Sequence, residues 1–116
     1  MKRDDDKLRA LLFEIEAKPD WLFLVTRRLG ASVEERTIQY HVELLCDAGL
    51  MTRVSDSGYR MTNAGHDYLD AIRSDTIWKK TKDGAAELGG VTLGMMRDIA
   101  IGYLKQEAAT KLGISL

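Results

Sequence analysis

A chain of 116 residues, 45% hydrophobic and 30% charged, suits one small soluble domain with a modest core and is too short for two. Its net charge of −1 lacks the basic excess of a dedicated nucleic-acid binder, and its single cysteine excludes an internal disulfide and suits a reducing cytoplasm. No apolar run approaches the roughly 20 residues of a membrane span, and the N-terminus lacks a signal-peptide apolar region, so a cytoplasmic protein without membrane contact is expected.

The first helix is expected from Asp4 to Ala17. Acidic Asp4-Asp5-Asp6 complements the helix dipole, Leu8, Leu11, Leu12 and Ile15 share one side, and Pro19 stops it. Trp21-Leu22-Phe23-Leu24-Val25 reads as a buried strand pairing with a later hairpin or as one turn of a second helix; periodicity does not separate the two. The strand is favoured by Val25 and Thr26 and by the turn-like Arg27-Arg28-Leu29-Gly30 behind them.

Ser32-Val33-Glu34-Glu35 has the form of a capping box, in which the hydroxyl satisfies an open N–H and the glutamate reaches back. A helix follows with Ile38, Val42 and Leu45 inward, and Gly49 ends it as a left-handed cap. Residues 50–54 and 59–61 are strand-like runs around the turn-rich tip Ser55-Asp56-Ser57-Gly58. Thr62 then caps a helix with Ala64, Tyr68, Leu69 and Ile72 on its buried side, ending near Arg73. Ser74-Asp75 opens the next, Thr76 to about Leu88, with Ile77 and Trp78 as core candidates. Thr92 opens the last, whose stripe of Leu93, Met96, Ala100, Tyr103 and Leu104 is widened by Met95, Ile99 and Ile101. So broad a stripe is expected to pack back on the first helix or to meet a second subunit.

The expected fold is therefore α+β and mostly helical. It is a winged helix-turn-helix with a short two- or three-stranded wing sheet, in which the usual second helix is short or missing. Residues 1–74 form that unit, and 75–116 form a C-terminal two-helix extension packed on it as one folding unit.

In such a fold the helix from Ser32 would lie in the major groove, and its outward face would read base edges. That face carries Arg36, Gln39, Tyr40, Glu43 and Asp47, with Glu34 and Glu35 near its start. Gln39 suits adenine and Arg36 suits guanine. Arg27 and Arg28 in the loop before it, and Arg53 and Arg60 in the wing, complete a nucleic-acid-binding set of Arg27, Arg28, Arg36, Gln39, Tyr40, Arg53 and Arg60. The carboxylates oppose this, since duplex DNA carries about one negative charge per 1.7 Å of axis. A solvated face with surface arginines weighs about as much.

No catalytic, cofactor or metal site is expected. His41, Cys46 and His66 lack ligand spacing. His41 is expected as a half-buried packing residue. Neither a phosphate-cradling glycine loop nor a hydrolase elbow occurs. Lys79-Lys80-Thr81-Lys82 is the one dense basic cluster and reads as a solvated helix face.

Residues 40–50, Tyr-His-Val-Glu-Leu-Leu-Cys-Asp-Ala-Gly-Leu, followed by 59–65, Tyr-Arg-Met-Thr-Asn-Ala-Gly, resemble the winged-helix regulators of the MarR and PadR kind. Met1-Lys2-Arg3-Asp4, Tyr40-His41-Val42 with Ala48-Gly49-Leu50, and above all the run from Thr62 to Trp78 are similar to an uncharacterised family of short bacterial and prophage proteins. That resemblance implies a winged helix with a C-terminal helical extension, frequent residence on mobile elements, and no assigned activity. The function expected is a small transcriptional regulator that binds double-stranded DNA, dimeric through its C-terminal helices. Its rival is a winged helix used for contact with a protein partner; an enzyme is not expected.

Overall fold

Every helix begins where a short polar side chain can satisfy an N–H that the helix itself leaves open. In the computed structural model, which describes residues 1–116, the Lys7 N–H donates to Asp4 at 3.1 Å and the Glu35 N–H to Ser32 at 3.1 Å. The Gly65, Ile77 and Met95 N–H groups donate to Thr62, Ser74 and Thr92 at 3.1, 3.2 and 3.1 Å. The helices so started are α1 (Asp5–Ala17), α2 (Val33–Asp47), α3 (Asn63–Ile72), α4 (Asp75–Glu87) and α5 (Leu93–Leu112). With β1 (Phe23–Leu24), β2 (Met51–Arg53) and β3 (Gly58–Met61) the chain is α+β, mostly helical, with a small antiparallel sheet in the order β1-β3-β2. Its residues divide into two units, Met1–His66 and Asp67–Leu116.

In the first unit, α2 turns directly into the hairpin. Gly49, at φ 76, takes the left-handed conformation, the Leu50 N–H reaches the Leu45 carbonyl at 2.8 Å, and the Gly49 N–H reaches Cys46 at 3.0 Å. This pair of bonds is a Schellman cap, and it aims the chain straight into β2. β2 and β3 pair with Met51 opposite Met61 and Arg53 opposite Tyr59. β1 adds the third strand, with Phe23 opposite Tyr59 and Leu24 opposite Gly58.

The alternation of β3 buries Tyr59 and Met61 and exposes Arg60. Leu8, Leu11, Leu12 and Ile15 of α1 and Val42 and Leu45 of α2 are also buried. At Gly65 the backbones of α3 and the α2–β2 turn nearly touch: an added Cβ would lie 2.1 Å from the Leu50 carbonyl oxygen. Only glycine fits there.

Three expectations about this unit need correction. The strand at residues 21–25 forms, but only Phe23 and Leu24 pair, and Trp21 and Leu24 stay 65% and 68% exposed. An edge strand two residues long cannot cover both of its faces. Ile38, expected inward on α2, is half-buried, and His41 takes the inward place, only 1% exposed. The Glu35 carboxylate does not reach back to the Ser32 backbone; it accepts from the Ser32 hydroxyl and from Arg28. A guanidinium is the stronger partner for a carboxylate. Residues 25–32 hold no helix, in keeping with an expected second helix that is short or missing.

In the second unit α4 packs on α5. α4 buries Ile77, Trp78, Thr81 and Ala85 and α5 buries Leu93, Met96 and Ala100, with a turn at Gly89 and Gly90 between the helices. At Gly84 an added Cβ would sit 3.5 Å from the Tyr103 hydroxyl, so the Tyr103 side chain reaches from α5 to α4 there. Leu104, expected on the buried stripe, is 36% exposed, and Met95 is 43% exposed. Within this unit one helix of 13 residues cannot cover both flanks of one of 20.

Candidate nucleic-acid interface

The outward face of α2 faces solvent with Arg36, Tyr40 and Asp47 exposed and Gln39 and Glu43 half-buried. It does so because Val42, Leu45 and His41 occupy the opposite side. The loop of residues 26–32 runs beside it, tied down by Gln39, whose Nε2 donates to the Thr26 carbonyl at 2.8 Å. Arg36 Nη1 donates to the Ala31 carbonyl at 3.3 Å. Both side chains expected to read bases thus also brace the loop.

Arg27 enters a three-member network. Its guanidinium donates to Glu43 and to the Tyr59 hydroxyl, and that hydroxyl donates in turn to Glu43 Oε1 at 2.7 Å. Burial pushes the Tyr59 phenol above its ordinary value, and the Glu43 carboxylate beside it adds to the shift. Arg28 makes a two-pronged pair with Glu35, Nε to Oε2 at 3.2 Å and Nη2 to Oε1 at 2.8 Å. The hydrogen bond from Arg28 holds the Glu35 carboxyl below the usual range. Two of the four carboxylates on α2 are therefore neutralised by arginines of the preceding loop. Glu34 and Asp47 are not.

Five of the seven expected binding residues come together. Arg27, Arg36, Gln39, Tyr40 and Arg53 line one shallow pocket of about 470 Å³ with Glu43. Three guanidinium groups against one carboxylate leave this lining at +2, although the whole chain carries −1. Arg53 also closes the hairpin tip, donating to the Ser55 carbonyl at 3.0 Å and the Asp56 carbonyl at 2.6 Å, which leaves its charge uncancelled. Arg28 and Arg60 stand apart: the first is occupied by Glu35, and the second lines another pocket, beside the end of α1.

Tyr59 and His41 also hold this region together, the first expected only as a strand residue and the second as a half-buried packing residue that is in fact 1% exposed. Tyr59 was placed only as part of a strand, yet its hydroxyl joins the sheet to α2 through Glu43. Strand alternation, together with the rule that a buried tyrosine hydroxyl finds a partner, was the available signal. His41 is a structural residue: its Nε2 accepts from the Asp4 N–H at 3.0 Å, and its Nδ1 lies 2.8 Å from the Thr37 carbonyl. That pattern requires the neutral ring with its proton on Nδ1. Both nitrogens are then used, and His41 has no free lone pair for a metal.

Burial, with the Glu43 and Asp47 carboxylates, pushes the Cys46 thiol up to about 11, so it is no nucleophile near neutrality. No three histidine, cysteine, aspartate or glutamate side chains gather to hold a metal ion. No helix is long and apolar enough to cross a membrane.

A family model described as "Hypothetical protein (DUF2513)" matches residues 2–92. An "Uncharacterized protein" of Haemophilus influenzae strain Rd is 30% identical over 90 residues, a stretch covering 71% of this chain and 76% of that one. Neither name assigns an activity. No solved structure matches.

Proposed function

We propose that this chain, which belongs to the DUF2513 family, is a winged-helix protein that binds duplex DNA and acts as a small bacterial transcriptional regulator. The observation that carries the reading is the cationic pocket on the outward face of α2. Arg36 stands on the helix itself, Arg27 on the loop before it and Arg53 on the hairpin after it. A groove-sized helix and the two elements that flank it each contribute one guanidinium, as contact with successive phosphates requires. Gln39 and Tyr40 lie between these charges, where base edges would be met.

The sheet order β1-β3-β2 and the helix leading into a hairpin support the winged-helix assignment and the likeness to MarR and PadR regulators. The pairs Arg27–Glu43 and Arg28–Glu35 bear on mechanism. Each carboxylate occupies an arginine as a phosphate would, so docking exchanges a carboxylate for a phosphate. Affinity for an arbitrary duplex is therefore modest.

Fluorescence anisotropy with a random duplex at two ionic strengths tests this. Arg36→Ala with Arg53→Ala should weaken binding about tenfold or more at low salt and flatten the salt slope by about 2. Glu43→Lys with Asp47→Lys should tighten it. If neither pair changes the titration, DNA does not bind this face.

A second reading is favoured by Leu29 and Val33, which are 103% and 66% exposed beside the same loop: the face would then contact a protein. A stable complex that survives nuclease and is lost in Leu29→Ser would select it. On α5 the exposed Leu104 and Leu112, which lie within about a quarter turn of each other, support a homodimer through that helix. Sedimentation checks this, with Leu104→Lys expected to halve the mass and a wild-type chain at monomer mass ending the idea.

A further inference from the structure

A second pocket of about 470 Å³ lies in the first unit, away from the α2 face, where the end of α1 and the turn after it meet β3 and the start of α3. Its volume is within the roughly 300–1,000 Å³ of small-ligand sites. Three kinds of group line it. Ile15 and Met61 supply apolar surface from the core, only 6% and 7% exposed. Trp21 and Pro19 add flat apolar faces, and Trp21 is 65% exposed, a large area of indole to leave against water.

Nitrogen donors form the second group. Arg60, Lys18 and His66 all line the pocket, and the partners of Arg60 and Lys18 within the chain are weak. Arg60 makes one long bond of 3.5 Å to the Met61 carbonyl, and Lys18 stands 3.9 Å from Glu14. The carboxylates of Asp20 and Glu16 are the third. One oxygen of Asp20 accepts from the Leu22 N–H at 3.2 Å, which fixes the side chain and leaves its second oxygen open toward solvent.

A ligand satisfying all three needs a flat ring, an anionic group and several N–H or O–H donors. A plain aromatic acid has no donors for the carboxylates, and a bare phosphate has nothing to lay on the indole. We infer that this pocket binds a nucleoside monophosphate unit, with its base on Trp21, its phosphate at Arg60, Lys18 and His66, and its amino or hydroxyl donors at Asp20. Stacking on an exposed aromatic side chain beside guanidinium and ammonium groups is how proteins hold single nucleotides irrespective of base pairing. The unit is either a free nucleotide or one residue of a single strand.

Titration of the full chain with AMP, followed by tryptophan emission and calorimetry, tests the assignment. AMP should quench emission at sub-millimolar to millimolar concentration, and adenosine and ribose 5-phosphate should each bind at least tenfold more weakly. Trp21→Phe should remove the quench. Trp21→Ala should weaken AMP binding about tenfold, measured calorimetrically, and Arg60→Gln should weaken AMP tenfold while leaving adenosine unchanged. Trp21 and Arg60 are both exposed, so these variants leave the core intact. A short single-stranded oligodeoxyadenylate binding more tightly than AMP identifies the strand as the source; AMP binding more tightly identifies the free nucleotide.

Absence of AMP binding at millimolar concentration, or ribose 5-phosphate binding as well as AMP with Trp21→Ala unaffected, overturns the proposal. These outcomes are separate from the duplex reading, because Arg36→Ala with Arg53→Ala should leave AMP binding unchanged.

Discussion

The two units of this chain hold themselves together by different means. In Met1–His66, polar groups join residues far apart in sequence: His41 holds the start of α1, Tyr59 holds Glu43 of α2, and the Thr62 hydroxyl donates to the Gly49 carbonyl at 2.6 Å. In Asp67–Leu116 the buried hydroxyl of Thr81 donates at 2.7 Å to Ile77, four residues back on its own helix. Polar bonds between elements specify one arrangement, because a wrong arrangement strands them unpaired. The α4–α5 pair buries Ile77, Trp78, Leu93 and Met96 and sets the Lys80 ammonium over the Tyr103 ring at 5.9 Å; its apolar part tolerates volume-conserving substitution. The candidate interface lies on the unit that is specified, and α5 lies beyond the residues the family model matches.

The sharpest break of that contrast is Gly65→Ala. A methyl group placed 2.1 Å from the Leu50 carbonyl and 2.7 Å from Met61 Cγ forces the hairpin and α3 apart, with a cost of about 3 kcal/mol or more. Urea titration should show the chain largely unfolded or with a much lower midpoint, and an unchanged midpoint would contradict the close approach.

A smaller and paired effect compares like with like. His41→Ala removes two hydrogen bonds and opens a cavity, and should cost about 2 kcal/mol or more. Thr81→Val should cost under about 1 kcal/mol, because the Ile77 carbonyl keeps its helical N–H. Equal losses in urea would erase the distinction between the units.

The smallest effect is one of pH. Because the Tyr59 phenol is raised by burial, its contribution to stability is fully present below the ordinary tyrosine value of about 10 and is lost as pH climbs through the folded value. Stability should fall above pH 10 in the wild type and fall less in Tyr59→Phe; absorbance at 295 nm with urea titration checks both.

Much of the fold was legible because it is written in local signals. Ser32, Thr62, Ser74 and Thr92 cap their helices as their side chains predict, Asp4, expected as the first helical residue, caps α1 instead, and Gly49 turns α2 into the hairpin. The candidate interface was legible only as an inventory of residues. Its arginines could be named, but α2 appeared to carry four carboxylates against Arg36, because the bonds from Arg27 to Glu43 and from Arg28 to Glu35 cross 16 and 7 residues of chain. No periodicity reports such a pairing. The exposure of Trp21 was equally hidden, since an apolar run of five residues reads as buried until the length of its paired strand is known.

The sequence by itself determined where each helix begins, where the hairpin turns and which side of α2 faces inward, since these follow from backbone hydrogen bonding and side-chain period over a few residues. The tertiary structure alone decided which charges cancel, that His41 is spent on the Asp4 N–H, and that Arg60 lines a different pocket from Arg27, Arg36 and Arg53. Those outcomes depend on which elements come within a few ångströms of each other, and electrostatic pairing acts through that distance rather than through position along the chain.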